Sequence, residues 1–169
     1  MQAKLTITAL IIGVSCISGC KSDDPKKTFE TVPIDLITTE FPEAKQEVVE
    51  TWDAIVQSLR AGDIDQLIEF HGYSPKFTEY TNGEAVKNAE ANEAYERAAF
   101  GAVTEVVKFD TEDFKVAVYG EVANVTFQSD FHLKFGQDLA IINEQISLLF
   151  VRTTDGWKIV HEHHSPWIL

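Results

Sequence analysis

The sequence predicts an α+β fold, with three N-terminal helices packed on a curved antiparallel sheet of four to six strands. Apolar residues recur at helical spacing as far as about residue 100, and after Gly101 they alternate with polar residues, as in strands. The 169 residues are 44% hydrophobic and 24% charged, which is typical of a globular chain of one domain. A run of helices followed by a run of strands favours the α+β class.

The first predicted helix runs from Pro42 to Ala61. Its apolar residues lie on one stripe and have the spacing of an amphipathic helix: Val48, Trp52, Ile55, Val56 and Leu59. A proline near the start and Gly62 just after the end are the residues expected at the two ends of a helix.

Two further helices are predicted before the strands begin. Asp63 can cap a short helix that ends at Gly72. The stretch from Glu84 to Phe100 is rich in Ala, Glu and Asn, and it predicts a third helix with Tyr95 and Phe100 on its apolar side.

Strand patterns occupy the rest of the chain, apart from one short strand before the third helix. The predicted strands are residues 77–80, 103–110, 114–119, 123–135, 139–153 and 157–165. In the stretch 123–135 apolar residues form one face and polar residues the other. Asp155-Gly156 is typical of a tight hairpin between the last two strands.

The N-terminus has the pattern of an export signal. A single lysine in the first four residues precedes an apolar run from Leu5 to Val14, which is too short to span a bilayer but suits the core of a signal peptide. The next residues, Ile17-Ser18-Gly19-Cys20, resemble the bacterial lipobox, in which the chain is cut before a cysteine that then carries acyl chains such as palmitate. Cys20 is therefore the predicted lipidation site, and an ordinary signal peptide with a free Cys20 thiol is the alternative.

These patterns divide the chain into a signal peptide (1–19), a lipidated cysteine with its tether (20–40) and a folded domain (41–169). Several acyl chains hold a protein on a membrane far more firmly than one chain does. Lys21 stands where an inner-membrane retention signal would place Asp, so we expect an outer-membrane protein that faces the periplasm. The outer face of a Gram-positive plasma membrane is the alternative.

Charge and motifs exclude several classes of function. A formal net charge of −13 repels phosphate backbones, so no nucleic-acid partner is expected. Both cysteines lie in the first twenty residues and cannot build a disulfide framework for the domain. Nothing resembles a nucleophile elbow, a phosphate-binding glycine loop or a zinc cysteine cluster, so we expect no cofactor.

Four pieces of the chain carry a family resemblance: Glu47–Gly62, Asp63–Phe70, Gly120–Ala123 and above all Asp155–Ser165, with the letters DGWKIVHEHHS. They resemble the SnoaL-like branch of the nuclear-transport-factor-2-like superfamily over about residues 42–166. The resemblance implies a cone of three helices on a bent antiparallel sheet, usually dimeric, with a pocket between them. Members include polyketide cyclases, ketosteroid isomerases, limonene epoxide hydrolases, ligand binders and oligomeric hubs, so the fold does not decide the function.

The resemblance also implies where a catalytic base would lie. Isomerase-type members place a carboxylate base in the strand after the second helix, and in this chain that position falls on Tyr80. Glu79, one residue earlier, should point to the opposite face, which disfavours isomerase chemistry. The remaining candidates are Glu79 itself and the acid–base pair Asp130 and His132, which project from one face of the third long strand because they lie two residues apart.

Two histidines near the C-terminus are the best candidates for metal ligands. His161 and His163 should project from the same face of the last strand as Trp157 and Ile159, at a spacing that suits first-row metals if His132 adds a third ligand. A structural or pocket-lining role is favoured for both histidines, so no metal site is predicted.

Other candidates for the pocket are large or charged side chains on apolar faces. Glu144 and Arg152 share an apolar face of their strand, and each either caps its end of the sheet or lines the mouth of the cone. The residues predicted to bind ligand are Trp52, Tyr80, Tyr95, Tyr119, Arg152, His161 and His163.

The leading functional hypothesis is a lipid-anchored envelope protein that binds a small, mostly apolar or amphipathic molecule in its cone and forms a homodimer. The first alternative is an enzyme of the cyclase, isomerase or hydratase kind that uses a pocket carboxylate or histidine. The second is a homodimeric interaction module whose cone is filled by its own side chains.

Overall fold

The computed structural model describes residues 33–167 of the chain. The chain divides into two units, Met1–Pro33 and Ile34–Leu169, and the fold below is that of the second. The predicted signal peptide, the lipidation site at Cys20 and most of the tether lie outside the described residues. Within residues 33–167, no helix is long and apolar enough to cross a membrane.

Three helices precede or interrupt the sheet: α1 (Pro42–Ala61), α2 (Ile64–Glu69) and α3 (Ala89–Gly101). The ends of α1 are as predicted, with the proline in its first turn and Gly62 in the left-handed conformation after its last residue. The Asp63 side chain caps α2 by accepting a hydrogen bond from the Gln66 amide at 3.0 Å.

The third helix begins at Ala89, five residues later than predicted. The amide of Lys87 donates to the carbonyl oxygen of Glu79, and the amide of Glu79 donates to the carbonyl oxygen of Lys87, both at 3.0 Å. These two bonds hold the preceding segment in an extended bridge, so the helix starts only after Asn88, whose side chain caps it through the Ala91 amide.

Six strands form one sheet: β1 (Thr78–Thr81), β2 (Glu105–Tyr119), β3 (Val122–Phe135), β4 (Asp138–Ile142), β5 (Glu144–Thr153) and β6 (Gly156–Pro166). Their order is β1-β6-β5-β3-β2, with β4 paired to the second half of β3. All pairs are antiparallel except β1 with β6, which is parallel. The predicted α+β fold is confirmed, with a curved, unclosed sheet that is mixed and not wholly antiparallel.

Two strand boundaries differ from the prediction. The predicted strands 103–110 and 114–119 are one strand, β2, bent by a register shift between Glu112 and Lys115. The predicted strand 139–153 is divided at Asn143. Buried Ser129 causes this break, because its hydroxyl donates to the Ile142 carbonyl oxygen at 3.0 Å and accepts from the Glu144 amide at 2.8 Å.

A β-bulge in the last strand reverses which side chains face inward. Ile159 pairs with Phe150 and His161 with Leu149, so Val160 is an extra residue in β6. Trp157 and Ile159 are therefore buried before the bulge, as predicted, but after it the inward positions are those of Glu162 and His164. The prediction that His161 and His163 share a face with Trp157 was wrong because alternation does not continue through a bulge.

The core lies between the inner face of the sheet and the apolar stripe of α1. Trp52 of α1 packs on Phe127 of β3 with ring centroids 4.7 Å apart. Phe109 and Phe131 stack across β2 and β3 at 3.7 Å. This packing fills one half of the concave face, and α3 covers the other half, where the candidate site lies.

Candidate functional site

A cavity of about 300 Å³ lies between α3 and the inner face of the sheet. Its walls are mostly apolar and are formed by Ala99, Phe100, Val103, Phe131, Leu133, Phe135, Ile142 and Ile146. Polar side chains line the rest: Glu79, Thr81, Asn82, Tyr95, Glu96, Glu144 and His164. A smaller space of about 90 Å³ shares several of these residues and reaches His71 and Glu162. An apolar pocket with a few convergent polar groups is the usual form of a small-molecule site.

His164 lies between two carboxylates at the polar end of the cavity. Its Nδ1 is 3.2 Å from Oε2 of Glu144, and its Nε2 is 3.4 Å from Oε2 of Glu162. Burial alone would lower the pKa of His164, but the hydrogen bonds to Glu144 and Glu162 outweigh it and raise the pKa to about 10. The ring is therefore an imidazolium at neutral pH, and the hydrogen bond from His164 lowers the pKa of Glu144.

His71 holds the other oxygen of Glu162. Its Nε2 is 2.8 Å from Oε1 of Glu162, and its Nδ1 is 3.1 Å from the carbonyl oxygen of Leu67. Burial would raise the pKa of Glu162, but hydrogen bonds from His164 and His71 place it far below its usual range. The pKa of His71 rises, because its bond to Glu162 outweighs the effect of burial.

Glu79 is fully hydrogen-bonded where β1 meets α3. Asn92 of α3 donates to its Oε2 at 2.8 Å, Lys87 donates to its Oε1 at 3.1 Å, and the Thr81 hydroxyl also donates to Oε1. Asn92 is held in turn by the Tyr73 hydroxyl at 2.5 Å. Burial would lower the pKa of Lys87, but the pairing with Glu79 raises it overall.

Glu96 differs from the other carboxyl groups of the cavity. Its side chain lies on the inner face of α3, is 8% exposed and lines both the large and the small space. It has no hydrogen-bond or ion-pair partner among the described residues. Burial, and then the neighbouring Glu162 carboxylate, raise the pKa of Glu96 to about 8. At neutral pH Glu96 is therefore mainly a neutral carboxylic acid that can donate a hydrogen bond into the cavity.

The side chains of β1 point the opposite way to the prediction, which placed Tyr80 towards the pocket and Glu79 away from it. Glu79 is 2% exposed and points inward, whereas Tyr80 is 51% exposed on the outer surface, between His161 and His163. The Nδ1 atom of His161 lies 2.8 Å from the hydroxyl oxygen and 3.0 Å from the carbonyl oxygen of Thr78 on the neighbouring strand. Tyr80, His161 and His163 are not among the residues that line the cavity.

The predicted acid–base pair also lies away from the cavity. Asp130 and His132 pair at 2.9 Å, as their spacing predicted, but on the outer face of β3, where Lys108 also contacts Asp130. The hydrogen bond from Lys108 lowers the pKa of Asp130. The inward positions of this part of β3 belong to Phe131 and Leu133.

The other predicted ligand-binding residues are distributed over the fold. Tyr95 lines the cavity, and Trp52 is a core residue at the edge of the smaller space. Tyr119 lies in a surface depression beside residues 37–41. Arg152, at the end of β5 far from the cavity, pairs with Glu47 at 2.5 Å. At the opposite end of that strand, Glu144 lines the cavity. Of the two roles predicted for it, this agrees with lining the cone and not with only capping the end of the sheet.

Four central residues of the site were missed from the sequence: His71, Glu96, Glu162 and His164. Asn92, Glu96, Ala99 and Phe100 have the i, i+4, i+7, i+8 spacing of an inward helical stripe, and this signal would have found Glu96. No local pattern marks Glu162, because its inward orientation depends on the bulge.

Among residues 33–167, one group of side chains could hold a metal ion. Ligand atoms of Glu79, Glu162 and His164 lie within 4.8 Å of one another. Their oxygen and nitrogen atoms are already paired with Lys87, His71 and each other, so a metal would have to displace these ion pairs. The structure does not bring His132 together with His161 and His163.

The family profile of the SnoaL-like domain matches residues 48–168, which is well over half of the chain. The chain belongs to the SnoaL-like domain family. The match includes α2, α3, all six strands and every residue of the polar end of the cavity described above. No curated protein matches the chain in sequence.

Solved structures support the same fold. A candidate dehydratase of the NTF2-like family from Streptomyces avermitilis is 20% identical, with a TM-score of 0.66, over 75% of this chain and 98% of that one. A candidate aromatic ring hydroxylase from Novosphingobium aromaticivorans is 13% identical, with a TM-score of 0.65, over 78% and 94%. A candidate association domain of calcium/calmodulin-dependent protein kinase type II from Thiobacillus denitrificans is 18% identical, with a TM-score of 0.56, over 70% and 93%. At these identities the likeness concerns the fold, which binds ligands or carries enzyme activity in different members.

Proposed function

We propose that this SnoaL-like domain binds a small amphipathic molecule, mostly apolar with one polar end, in the cavity beneath α3. One observation carries the proposal: Glu96 is buried, has no partner among the described residues and faces a cavity with apolar walls. The Glu96 carboxyl group opens onto this cavity, and a ligand with a polar end would give it a hydrogen-bond partner there.

Binding without turnover is favoured over catalysis by the state of the neighbouring groups. Both ring nitrogens of His164 face carboxylates, and both of His71 face a carboxylate and a carbonyl oxygen, so neither ring offers a free base. Glu79 already accepts three hydrogen bonds. Asp130 and His132, two of the candidates for a catalytic base, lie on the outer face of the sheet.

A dehydratase or isomerase activity is the second candidate function. A carboxylic acid that keeps its proton at neutral pH, as Glu96 does, can protonate a departing hydroxyl or a carbonyl oxygen. The likeness to a candidate dehydratase agrees with this chemistry without establishing it. Glu96→Gln would abolish such turnover and leave the cavity open, whereas unchanged turnover would exclude this role for Glu96.

Filling the cavity tests the binding proposal. Ala99 lines the cavity and Ala98, its neighbour on α3, is exposed, so Ala99→Phe and Ala98→Phe add the same ring inside and outside. We expect the neutral fluorescent probe N-phenyl-1-naphthylamine to bind the parent chain and Ala98→Phe, and to bind Ala99→Phe at least about tenfold more weakly, a change of ~1.4 kcal/mol. Equal binding by all three would show that the probe does not use this cavity and would count against the proposal.

We further propose that Cys20 carries the lipid anchor and that the domain faces the periplasm from the outer membrane. The support is the sequence around the lipobox-like tetrapeptide. Cys20→Ser should move the protein from the membrane fraction to the soluble fraction and remove labelling by a palmitate analogue. Cys16→Ser, in the same segment, should change neither. Separating the inner and outer membranes by density tests the location, and a soluble parent protein would refute the anchor.

A homodimer is the remaining proposal for assembly. It rests on the family resemblance, which implies a domain that is usually dimeric. Sedimentation equilibrium of the Cys20→Ser protein should give twice the mass of its own chain, measured on the same sample by denaturing mass spectrometry. If a dimer forms and the cavity binds neither the probe nor a copurified molecule, the hypothesis of a homodimeric interaction module would replace the proposal of ligand binding.

A further inference from the structure

The polar end of the cavity contains four carboxyl groups and three cations. The carboxyl groups belong to Glu79, Glu96, Glu144 and Glu162, and the cations are Lys87, His71 and His164. Each histidine ring presents both nitrogens to oxygen atoms, an arrangement that a charged ring satisfies by donating from both, and this pairing raises the pKa of both histidines.

Three of the four carboxylates are compensated by these cations. Glu79 pairs with Lys87 at 3.1 Å, Glu162 with His71 at 2.8 Å, and Glu144 with His164 at 3.2 Å. The fourth, Glu96, is without a cation among the described residues. The other titratable groups near it, the Tyr73 and Tyr95 hydroxyls, cannot supply a positive charge. The cluster is therefore one positive charge short of neutrality whenever Glu96 is ionised.

We propose that the ligand of this cavity is a monocation, an alkyl- or arylammonium whose nitrogen pairs with Glu96 and whose apolar body lies along Phe100 and Phe131. This inference rests on the proposed function, that the cavity binds a small amphipathic molecule, and it adds the charge of the polar end. The ligand supplies the one missing positive charge. A buried carboxylate is acceptable when it is paired in this way.

The walls and the charge balance both favour a monocation over other ligands. Phe100, Phe131 and Phe135 offer aromatic surface, which attracts ammonium groups as well as apolar chains. An anion would meet four carboxyl groups. A divalent metal would leave an excess positive charge and would have to break the ion pairs of Glu79 and Glu162.

Three ligands of equal chain length isolate the effect of charge: octylammonium, 1-octanol and octanoate. Calorimetry at pH 7 with the Cys20→Ser chain should show octylammonium binding about tenfold or more tightly than octanol, because a hydrogen bond to a charged group is roughly twice as strong as a neutral one. Octanoate should bind most weakly. Equal affinity for octylammonium and octanol would overturn the inference about charge and leave the binding proposal standing. If none of the three binds, both proposals fail.

Proton release gives a second, independent readout. Glu96 carries a proton in the free protein and would lose it to solvent on pairing with an ammonium group, since its pKa of about 8 falls when a cation binds. At pH 7 we expect nearly one proton to be released for each octylammonium bound. The number released is obtained by measuring the binding enthalpy in buffers that differ in ionisation enthalpy. Octanol should release none, and proton release of zero with octylammonium would contradict the pairing.

Two matched variants assign the effect to one side chain. Glu96→Gln keeps the size of the side chain and removes the charge, so octylammonium should lose its advantage over octanol and its proton release. Glu90→Gln makes the same change at an exposed position of the same helix and should leave both unchanged. A preference for octylammonium that survives Glu96→Gln would refute the assignment.

Discussion

Nε2 of His71 lies 2.8 Å from Oε1 of Glu162, although 91 residues separate them in the chain. Both side chains are buried, at the point where the end of α2 meets β6. The second oxygen of Glu162 faces His164, so one carboxylate lies between two imidazolium rings. Glu162 is therefore the central anion of the site, and we expect its charge to stabilise the fold.

Glu162→Gln should lower the free energy of unfolding by about 3 kcal/mol at pH 7, because it leaves the buried His71 without its anion and leaves His164 with Glu144 alone. Urea denaturation measures the change. Glu105→Gln is the control, since its carboxylate pairs with Lys134 at 2.5 Å on the exposed surface and should matter by less than about 1 kcal/mol. If both variants lost the same free energy of unfolding, the buried His71–Glu162 pair would stabilise the protein no more than an exposed ion pair does.

The difference in the free energy of unfolding between the parent protein and Glu162→Gln should depend on pH. The pKa of Glu162 is lowered in the folded protein, so its stabilisation is fully present above the ordinary carboxyl pKa of 4.5 and is lost as the pH falls below it. The gap between the parent protein and Glu162→Gln should therefore narrow steadily below about pH 4.5. A constant gap down to pH 3 would contradict the lowered pKa.

His164→Ala should destabilise the protein by about 2 kcal/mol or more at pH 6, whereas His163→Ala should change it by less than about 0.5 kcal/mol. The two histidines are adjacent on β6, but His164 lies in the cavity and His163 is exposed. The pKa of His164 is raised from 6.5 to about 10, so its stabilisation is present below pH 6.5 and is lost as the pH rises towards 10. Denaturation of both variants at pH 6 and pH 10 checks the size and the direction of this change.

Glu96→Gln should stabilise the protein at alkaline pH. The pKa of Glu96 is raised from 4.5 to about 8, so the parent protein loses stability relative to the variant between those pH values, by up to about 1.4 kcal/mol per pH unit. We expect equal stabilities at pH 4 and a more stable Glu96→Gln variant at pH 8, whereas Glu90→Gln, which removes a charge from the first turn of α3, should be no more stable than the parent protein at either pH. A variant less stable than the parent at pH 8 would mean that the Glu96 carboxylate has a partner.

Gly72→Ala should destabilise the protein by about 1–3 kcal/mol, because the added methyl group has no room. A Cβ at Gly72 would lie 3.0 Å from Val160 Cγ1 and 3.2 Å from Lys158 Cβ, against the bulge that turns Glu162 and His164 inward. Gly101→Ala is the matched control. A Cβ there meets nothing within 4 Å at the last residue of α3, so the same change should be neutral or stabilise by up to about 1 kcal/mol. Thermal unfolding of both variants tests the contrast.

Periodicity predicted the fold well because it is a local property of the chain. The stripe from Val48 to Leu59 packs on the core as expected, and the alternation along β3 from Ala123 to Leu133 is that of the buried face. Pro42 and Gly62 marked the ends of α1 because helix termini have their own local chemistry. The predicted α+β class follows from these elements in order.

The prediction of the site was less accurate because its residues depend on contacts between distant segments. One extra residue, Val160, changes the inward side chains from His161 and His163 to Glu162 and His164. On β1, the choice of Glu79 over Tyr80 as the inward residue follows from parallel pairing with β6 and from the hydrogen bond to Asn92. Neither contact leaves a pattern in its own stretch of sequence.

The sequence by itself determined the α+β class and the family resemblance, and it predicts an export signal at the N-terminus. Each of these follows from side chains that are neighbours along the chain, such as the glycine after a helix or the residues around Cys20. Tertiary structure alone decided which carboxyl groups meet which cations, and it left Glu96 without one. Charge compensation in a buried site depends on distances of about 3 Å between side chains that lie tens of residues apart in sequence, and only the folded chain sets those distances.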